Sequence, residues 1–328
     1  MKTKEKIILK VFVISLFGLC TLGIVEGKER EYPEKPIQLI VGYSAGSVSD
    51  LSARALARVA SKYLEKPLVV VNMPGAAATV ASNELVKSVP DGHTIISLTT
   101  GYFAYAIHQQ KVPFNPKLIK PVLGYWEYSH IMFTRTESPY TRLEDLITFG
   151  QKNPGAVKFS HPGRGSGPHL MGLVFFKSAN IRAVDVPFKG SGENVSAVLG
   201  GHTTVGIDDF APAKQNIKAG TLKALVACTD QRRKDLPDVP TTKEKGFADV
   251  SIFNPLGIIC IHKDTPVERT SKLHNALKKA VEDPELIKIF DDMGQRSIYN
   301  TPETVENTIS RVEKLAVPLL KELNLFIE

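Results

Sequence analysis

The chain has 328 residues and carries 41 Lys and Arg against 34 Asp and Glu, a formal net charge of +7. Its basic residues are scattered, and the one short cluster, Gln231-Arg232-Arg233-Lys234, is followed at once by Asp235, so the stripe of positive charge that nucleic-acid binding needs is missing. Three cysteines cannot make a disulfide framework, which leaves an ordinary hydrophobic core to hold the fold.

Lys2, Lys4, Lys6 and Lys10 precede an apolar run from Val11 to Val25, and Val25-Glu26-Gly27 supplies small residues at a signal-peptidase spacing. This predicts a secretory signal peptide over residues 1–27, cleaved after Gly27, and an extracytoplasmic mature chain of residues 28–328. The run is short for a membrane span. Cys20 follows Leu19, which is larger than a lipidation site usually takes. Without the signal, four cations and two acids fewer, the charge is +5.

The mature chain opens with a strand-like run from Ile37 to Tyr43, the loop Ser44-Ala45-Gly46-Ser47-Val48-Ser49-Asp50 and a helical segment LSARALARVASKY. PLVVVNM is a β-branched strand ending in Pro74-Gly75-Ala76-Ala77-Ala78, TVASNELVKSV has helical spacing up to the turn Pro90-Asp91-Gly92, and HTIISLTT reads as a third strand. VLGYWEYSHIMFTR reads as one long strand, and Thr141 with Glu144 three residues on marks a capped helix start. A second strand, loop and helix unit follows: AVKFSHP, Gly163-Arg164-Gly165-Ser166-Gly167-Pro168 and HLMGLVFFK. Beyond it lie AVDVPF with Lys189-Gly190-Ser191-Gly192, a helix ending at Gly200-Gly201, TTVGIDD, the apolar strands LKALVACT and SIFNPLGIICIH, and helical segments from Val267 to Leu325.

Alternation of this kind predicts an α/β chain with mainly parallel sheets flanked by helices, and at this length two lobes, with long strands crossing twice between them. Ligands in such sheets bind beyond the carboxyl ends of the strands. Helix starts there present backbone N–H groups that favour a carboxylate or another anion, and two such units more than a hundred residues apart predict two lobes facing one ligand. Cys228 and Cys260 lie in apolar runs and are expected as buried free thiols.

Gly42-Tyr43-Ser44-Ala45-Gly46 matches the G-x-S-x-G nucleophile elbow between a strand and a helix, so a serine hydrolase using Ser44, with Asp208 and His262 as partners, is the alternative reading. It lacks the preceding oxyanion segment and follows the first mature strand. The Gly163 loop lacks the Gly-Lys-Ser/Thr end of a phosphate loop, and no H-E-x-x-H pair or close cysteine pair is present, so neither nucleotide nor metal binding is indicated.

The stretches YPEKPIQLIVGYSAGSVSD, VVVNMPGAAA, PDGHTI, FSHPGRGSGPHLMG, VPFKGSGENVSAVLGGH, IKAGTLKALVACT, LPDVPTTKEKGF and DPELIKIFDDMGQ with TPE run in order over residues 32–325. In this the mature chain resembles the periplasmic solute-binding receptors of tripartite tricarboxylate transporters, the Bug receptors. The resemblance implies a two-lobed periplasmic binding fold of type II kind, with lobe 1 near residues 32–104 plus 229–328 and lobe 2 near 105–228. It implies a monomer that closes on a small carboxylate and delivers it to membrane permease subunits, with no catalysis, cofactor or metal.

Carried over by position, the resemblance places Tyr43, Ser44, Ala45, Gly46, Ser47 and Ser49 at the ligand, with Asp50 capping its helix. Gly75 and Ala76 would allow close backbone approach, and Thr99 and Thr100 would add hydroxyls. From the second lobe it places Gly163, Arg164, Gly165, Ser166 and His169 at the far end, Phe188, Lys189 and Gly190 along the wall, and Asp208 near the pocket. Three departures stand out: Ser47 where the family usually has a second glycine, alanines at 76–78 where it has glycines, and the charged Arg164, which could pair with a second carboxylate. Tyr125, Trp126 and Tyr128 are further candidates for the pocket wall.

Overall fold

The computed structural model describes residues 31–327; the expected signal segment lies outside them. The first part of the chain alternates as expected: β1 (Ile37–Val41), α1 (Val48–Leu64), β2 (Leu68–Asn72), α2 (Thr79–Lys87) and β3 (Thr94–Thr99). Both β2 and β3 pair with β1 in parallel. Ala53, Leu56, Ala57, Ala60 and Leu64 recur at helical spacing on α1 and are buried in one cluster with Ile37, Leu39 and Val41 of β1. Each such leucine contributes roughly 1.5–3 kcal/mol of burial.

The long run after Val122 is two strands. β4 (Ile119–Glu127) and β5 (His130–Arg135) belong to different sheets. The second sheet is built from β5, β6 (Lys158–His161), β7 (Val184–Pro187), β8 (Val205–Asp209) and β9 (Leu222–Ala227), in the order β7-β6-β8-β5-β9. Between its strands lie α3 (Leu143–Lys152), α4 (Gly167–Ser178), α5 (Ser191–Leu199) and α6 (Phe210–Lys218). After a short α7 (Ala248–Ser251) the chain returns through β10 (Leu256–His262), α8 (Val267–Glu282), α9 (Pro284–Met293), β11 (Arg296–Asn300) and α10 (Pro302–Glu322). The first sheet then reads β11-β4-β10-β3-β1-β2.

Four expectations are corrected. The sheets are mixed rather than mainly parallel, because β10 runs antiparallel to β3 and β4, and β5 antiparallel to β8 and β9. β4, expected in the second lobe, is hydrogen-bonded in the first sheet between β11 and β10, so the crossing lies at Tyr128 and Ser129. No glycine or proline marks that point, and both halves are apolar, which is why periodicity ran through it. α10 does not stay with one sheet: Val305 packs in a first-sheet cluster, while Val312, Ala316 and Leu320 join Met132, Leu146 and Phe175 of the second. Finally, α3 is capped by Asp145, whose Oδ2 accepts from the N–H groups of Thr141 and Arg142 at 2.9 Å, while Glu144 pairs with Lys245.

Cys228 and Cys260 are free and buried, and burial pushes both thiols up. Among the described residues no helix is long and apolar enough to cross a membrane.

Candidate functional site

A cleft of about 850 Å³ opens between the two sheets, beyond the carboxyl ends of β1, β3 and β8. The opening residues of four helices line it: Ser47 to Ser49 of α1, Ser166 and Gly167 of α4, Gly190 and Ser191 of α5, and Asp209 of α6. The sequence motifs mark the first three of these starts, whereas the start of α6 at Asp209 carries no signal that the sequence reading used. First-turn N–H groups have no partner within their own helix and carry the positive end of its dipole, so the cleft favours an anion.

Local chemistry sets each start. Ser47 is the N-cap of α1, its Oγ accepting from Asp50 N–H at 3.2 Å. Asp50, expected to cap this helix, instead sits buried in its first turn, where its oxygens accept from Gly46 N–H, Arg54 Nε and Asn72 Nδ2 at 2.9, 3.1 and 2.8 Å. Ser166 caps α4, accepting from His169 N–H and donating to Gly163 O at 2.7 Å. Gln109 reaches from the segment after β3 to donate to Gly165 O at 3.1 Å, tying the two lobes together at the rim. Gly165 has φ +74°, a backbone conformation that favours glycine, and a Cβ there would push aside the Gln109 amide that bridges the lobes.

The charges in the cleft are Arg164 and Lys189 against Asp208 and Asp209. Both acids are taken up by the protein. Asp208 accepts from Ser191 Oγ, Asn194 Nδ2 and Asp209 N–H at 2.8–2.9 Å, and burial raises its carboxyl above the usual range. Asp209 accepts from Ala211 N–H, Gln295 Nε2 and Ser129 N–H at 2.9, 3.1 and 3.2 Å. Arg164 Nε lies 3.7 Å from Asp185 Oδ2 at the edge of the cleft. Burial pushes the Tyr43 phenol up to about 12, and those of Tyr105 and Tyr128 up as well, so all three remain protonated donors.

Of the residues singled out in the sequence, Tyr43, Ser47, Ser49, Thr99, Arg164, Gly165, Ser166, Lys189, Gly190 and Asp208 line the cleft. Ser44, Ala45, Gly46, Asp50, Gly75, Ala76, Thr100, Gly163, His169 and Phe188 do not. Ala77 takes the place expected of Ala76, whose carbonyl accepts from Gln110. Thr100 is turned into the core, accepting from Leu256 N–H at 3.0 Å. Tyr128 reaches the cleft and meets Ser49 Oγ at 3.2 Å, whereas Trp126 and Tyr125 are core residues. Tyr102, Tyr105 and Gln109 are cleft residues that the sequence reading misses; they come from a wide π-helical turn, Tyr102–Ala106, and the 3-10 turn Ile107–Gln109 that follows it.

The strand register takes His262 out of the reach of Ser44. Ser44 lies just beyond the carboxyl end of β1, whereas the strand register puts His262 level with Thr94 and Gln38 at the other end of the sheet. Six residues of strand separate those levels, about 20 Å. His161, His169 and Asp185 bring donor atoms within 4.8 Å of one another, a geometry that a metal could exploit. The chemistry argues against it: His169 Nδ1 accepts from Gly165 N–H at 3.0 Å, so the proton sits on Nε2, the atom facing Asp185 at 3.6 Å. Burial lowers His169 to about 4, which keeps this ring neutral.

Residues 52–325 match the family model described as tripartite tricarboxylate transporter family receptor. The chain belongs to this receptor family. It is 29% identical over 301 residues to the UPF0065 protein in the gbd 5' region of Cupriavidus necator, covering 89% of this chain and 91% of that one. To protein BugT of Bordetella pertussis it is 28% identical over 303 residues, with 91% and 92% covered. Among solved structures, a periplasmic transporter aligns with a TM-score of 0.75 at 28% identity, over 90% of this chain and all of its own. MatC of Rhodopseudomonas palustris with bound malate (TM-score 0.70, 24% identity, 87% and 100% covered) and an R. palustris protein with adipate (0.74, 23%, 87% and 97%) share the fold. Members of this receptor family are periplasmic solute-binding proteins.

Proposed function

We propose that this receptor captures a small carboxylate between its two lobes, in the periplasm, and hands it to the membrane permease of a tripartite tricarboxylate-type transporter. The observation that carries the reading is the convergence of four helix starts on one cleft between the lobes. That field favours a small anion. Malate and adipate, held by neighbours of the same fold, fall in the proposed class. Ser47, Ser49 and the α1 start would hold one carboxylate from the first lobe, and the α4 and α5 starts would close on it from the second, with a closed form populated in proportion to its extra contacts. The chain works as a monomer by binding alone, without catalysis or cofactor, and reaches the periplasm through the signal segment.

A thermal-shift screen of residues 28–328 against mono-, di- and tricarboxylates, amino acids and aromatic acids tests this. A ligand that binds only the folded state must raise the melting temperature. The expected result is a carboxylate hit recovered unchanged after incubation. Stabilisation by none of these acids, or turnover of an ester added to the panel, would contradict the reading.

A further inference from the structure

The segment between β3 and β4 belongs to neither lobe alone. Its π-helical turn sends Tyr102 into a cluster of the first sheet with Leu98 and Ile258, but Ala104 and Tyr105 into one of the second sheet with Met132 and Phe159. The Tyr105 phenol ends between the lobes, where a Cβ on Gly101 of the first or on Gly167 of the second would crowd it. Behind the segment, His108 O accepts from Ile327 N–H at 2.7 Å, and His108 Nε2 lies 3.0 Å from Glu313 of α10, the helix that packs on both sheets.

The two glutamines that follow reach to opposite lobes. Gln109 Nε2 donates to Gly165 O at 3.1 Å, in the loop that opens α4, and to Tyr105 O at 3.2 Å. Gln110 Nε2 donates to Ala76 O at 2.9 Å and to Thr79 Oγ1 at 2.8 Å, in the left-handed alanine turn that opens α2. Both residues line the cleft, so adjacent amides span its rim from one helix start to another. The α4 start cannot swing away from the first lobe without breaking the Gln109 bond. A conformation is populated in proportion to the contacts that it alone makes, and one neutral amide–carbonyl bond shifts such an equilibrium by roughly three- to tenfold.

We infer that Gln109-Gln110 is a strap across the cleft rim: Gln109 is the positioning residue that holds the α4 start against the first lobe and sets how far the lobes stand apart, and Gln110 is its anchor. This goes beyond the carboxylate reading and does not depend on it.

Spin labels on Lys87→Cys, at the exposed end of α2, and Ser178→Cys, at the exposed end of α4, report the lobe separation by pulsed dipolar spectroscopy in residues 28–328 with no acid added. Cys228 and Cys260 are buried and take no label. In Gln109→Met, which keeps the length and loses the donor, the ratio of wide to narrow separations should rise about three- to tenfold at an unchanged melting temperature. Gln109→Asn, whose amide is one methylene too short, should match it. Gln110→Met should give part of that rise, and the double variant no more than Gln109→Met alone, because the anchor acts only through the Gln109 bond. An unchanged distribution in both Gln109 variants, a lowered melting temperature without a change in separation, or effects of the two methionines that add in the double variant would overturn the strap. Each of these outcomes is read without a ligand and leaves the carboxylate reading to its own screen.

Discussion

Three successive alanines between β2 and α2 carry left-handed backbone angles, φ +44° at Ala76, +46° at Ala77 and +74° at Ala78. A methyl group in that region crowds the following carbonyl, costing roughly 1–2 kcal/mol per residue. Replacing Ala by Gly removes the crowding but gives the unfolded chain more freedom, which offsets roughly 0.5–1 kcal/mol. Ala76 and Ala77 are exposed, so their methyl groups add little burial. The double variant Ala76→Gly/Ala77→Gly is therefore expected to be more stable by about 1–2 kcal/mol. Ala78 differs because it is fully buried and so close to Gly42 that a Cβ there would sit 2.3 Å from its own. Deleting that buried methyl costs about 0.8 kcal/mol, so Ala78→Gly should come out near neutral. Urea unfolding followed by circular dichroism reads this directly, as a raised midpoint at constant slope for the double variant. An unchanged or lowered midpoint, or an Ala78→Gly gain as large as that of the double variant, would show that the loop is not held in this conformation or that the crowding is not what it costs.

Ser47→Asp keeps an N-cap side chain and hence the fold, but sets a negative charge among the donors of α1. Carboxylate affinity should fall at least tenfold, about 1.4 kcal/mol, and unchanged affinity in calorimetry would remove the first loop from the site. His169 should make stability pH-dependent. Its folded pKa of about 4 lies below the unfolded value of 6.5, so the unfolded chain takes the proton first, and stability present above 6.5 is lost as pH falls toward 4. By pH 5 the loss is about 2 kcal/mol, and His169→Gln, whose amide oxygen can still accept from Gly165 N–H, should lose that much less between pH 7 and 5 in urea melts. Equal losses in the two proteins would refute the buried neutral histidine.

Local chemistry determined a good deal of this protein from the sequence by itself. The strand, loop and helix units at Ile37 and Ala156 and the buried thiols at Cys228 and Cys260 depend on neighbours within a few residues, so period and turn composition disclose them, whereas the cap expected at Asp50 lies at Ser47. What only the tertiary structure decided is how distant segments meet. Whether β4 joins the first sheet or the second is settled by its hydrogen bonds to β10 and β11, more than a hundred residues away, and not by its own apolar pattern. The same holds within the cleft. Thr99 and Thr100 are chemically alike and adjacent, yet one lines the cleft and the other accepts from the N–H of Leu256 at the start of β10, because β3 ends at Thr99 and the chain turns helical at Thr100, beside the incoming strand. Tyr105 and Gln109 enter the site only because the segment after β3 meets the Gly165 loop of the other lobe, a contact that no local signal encodes.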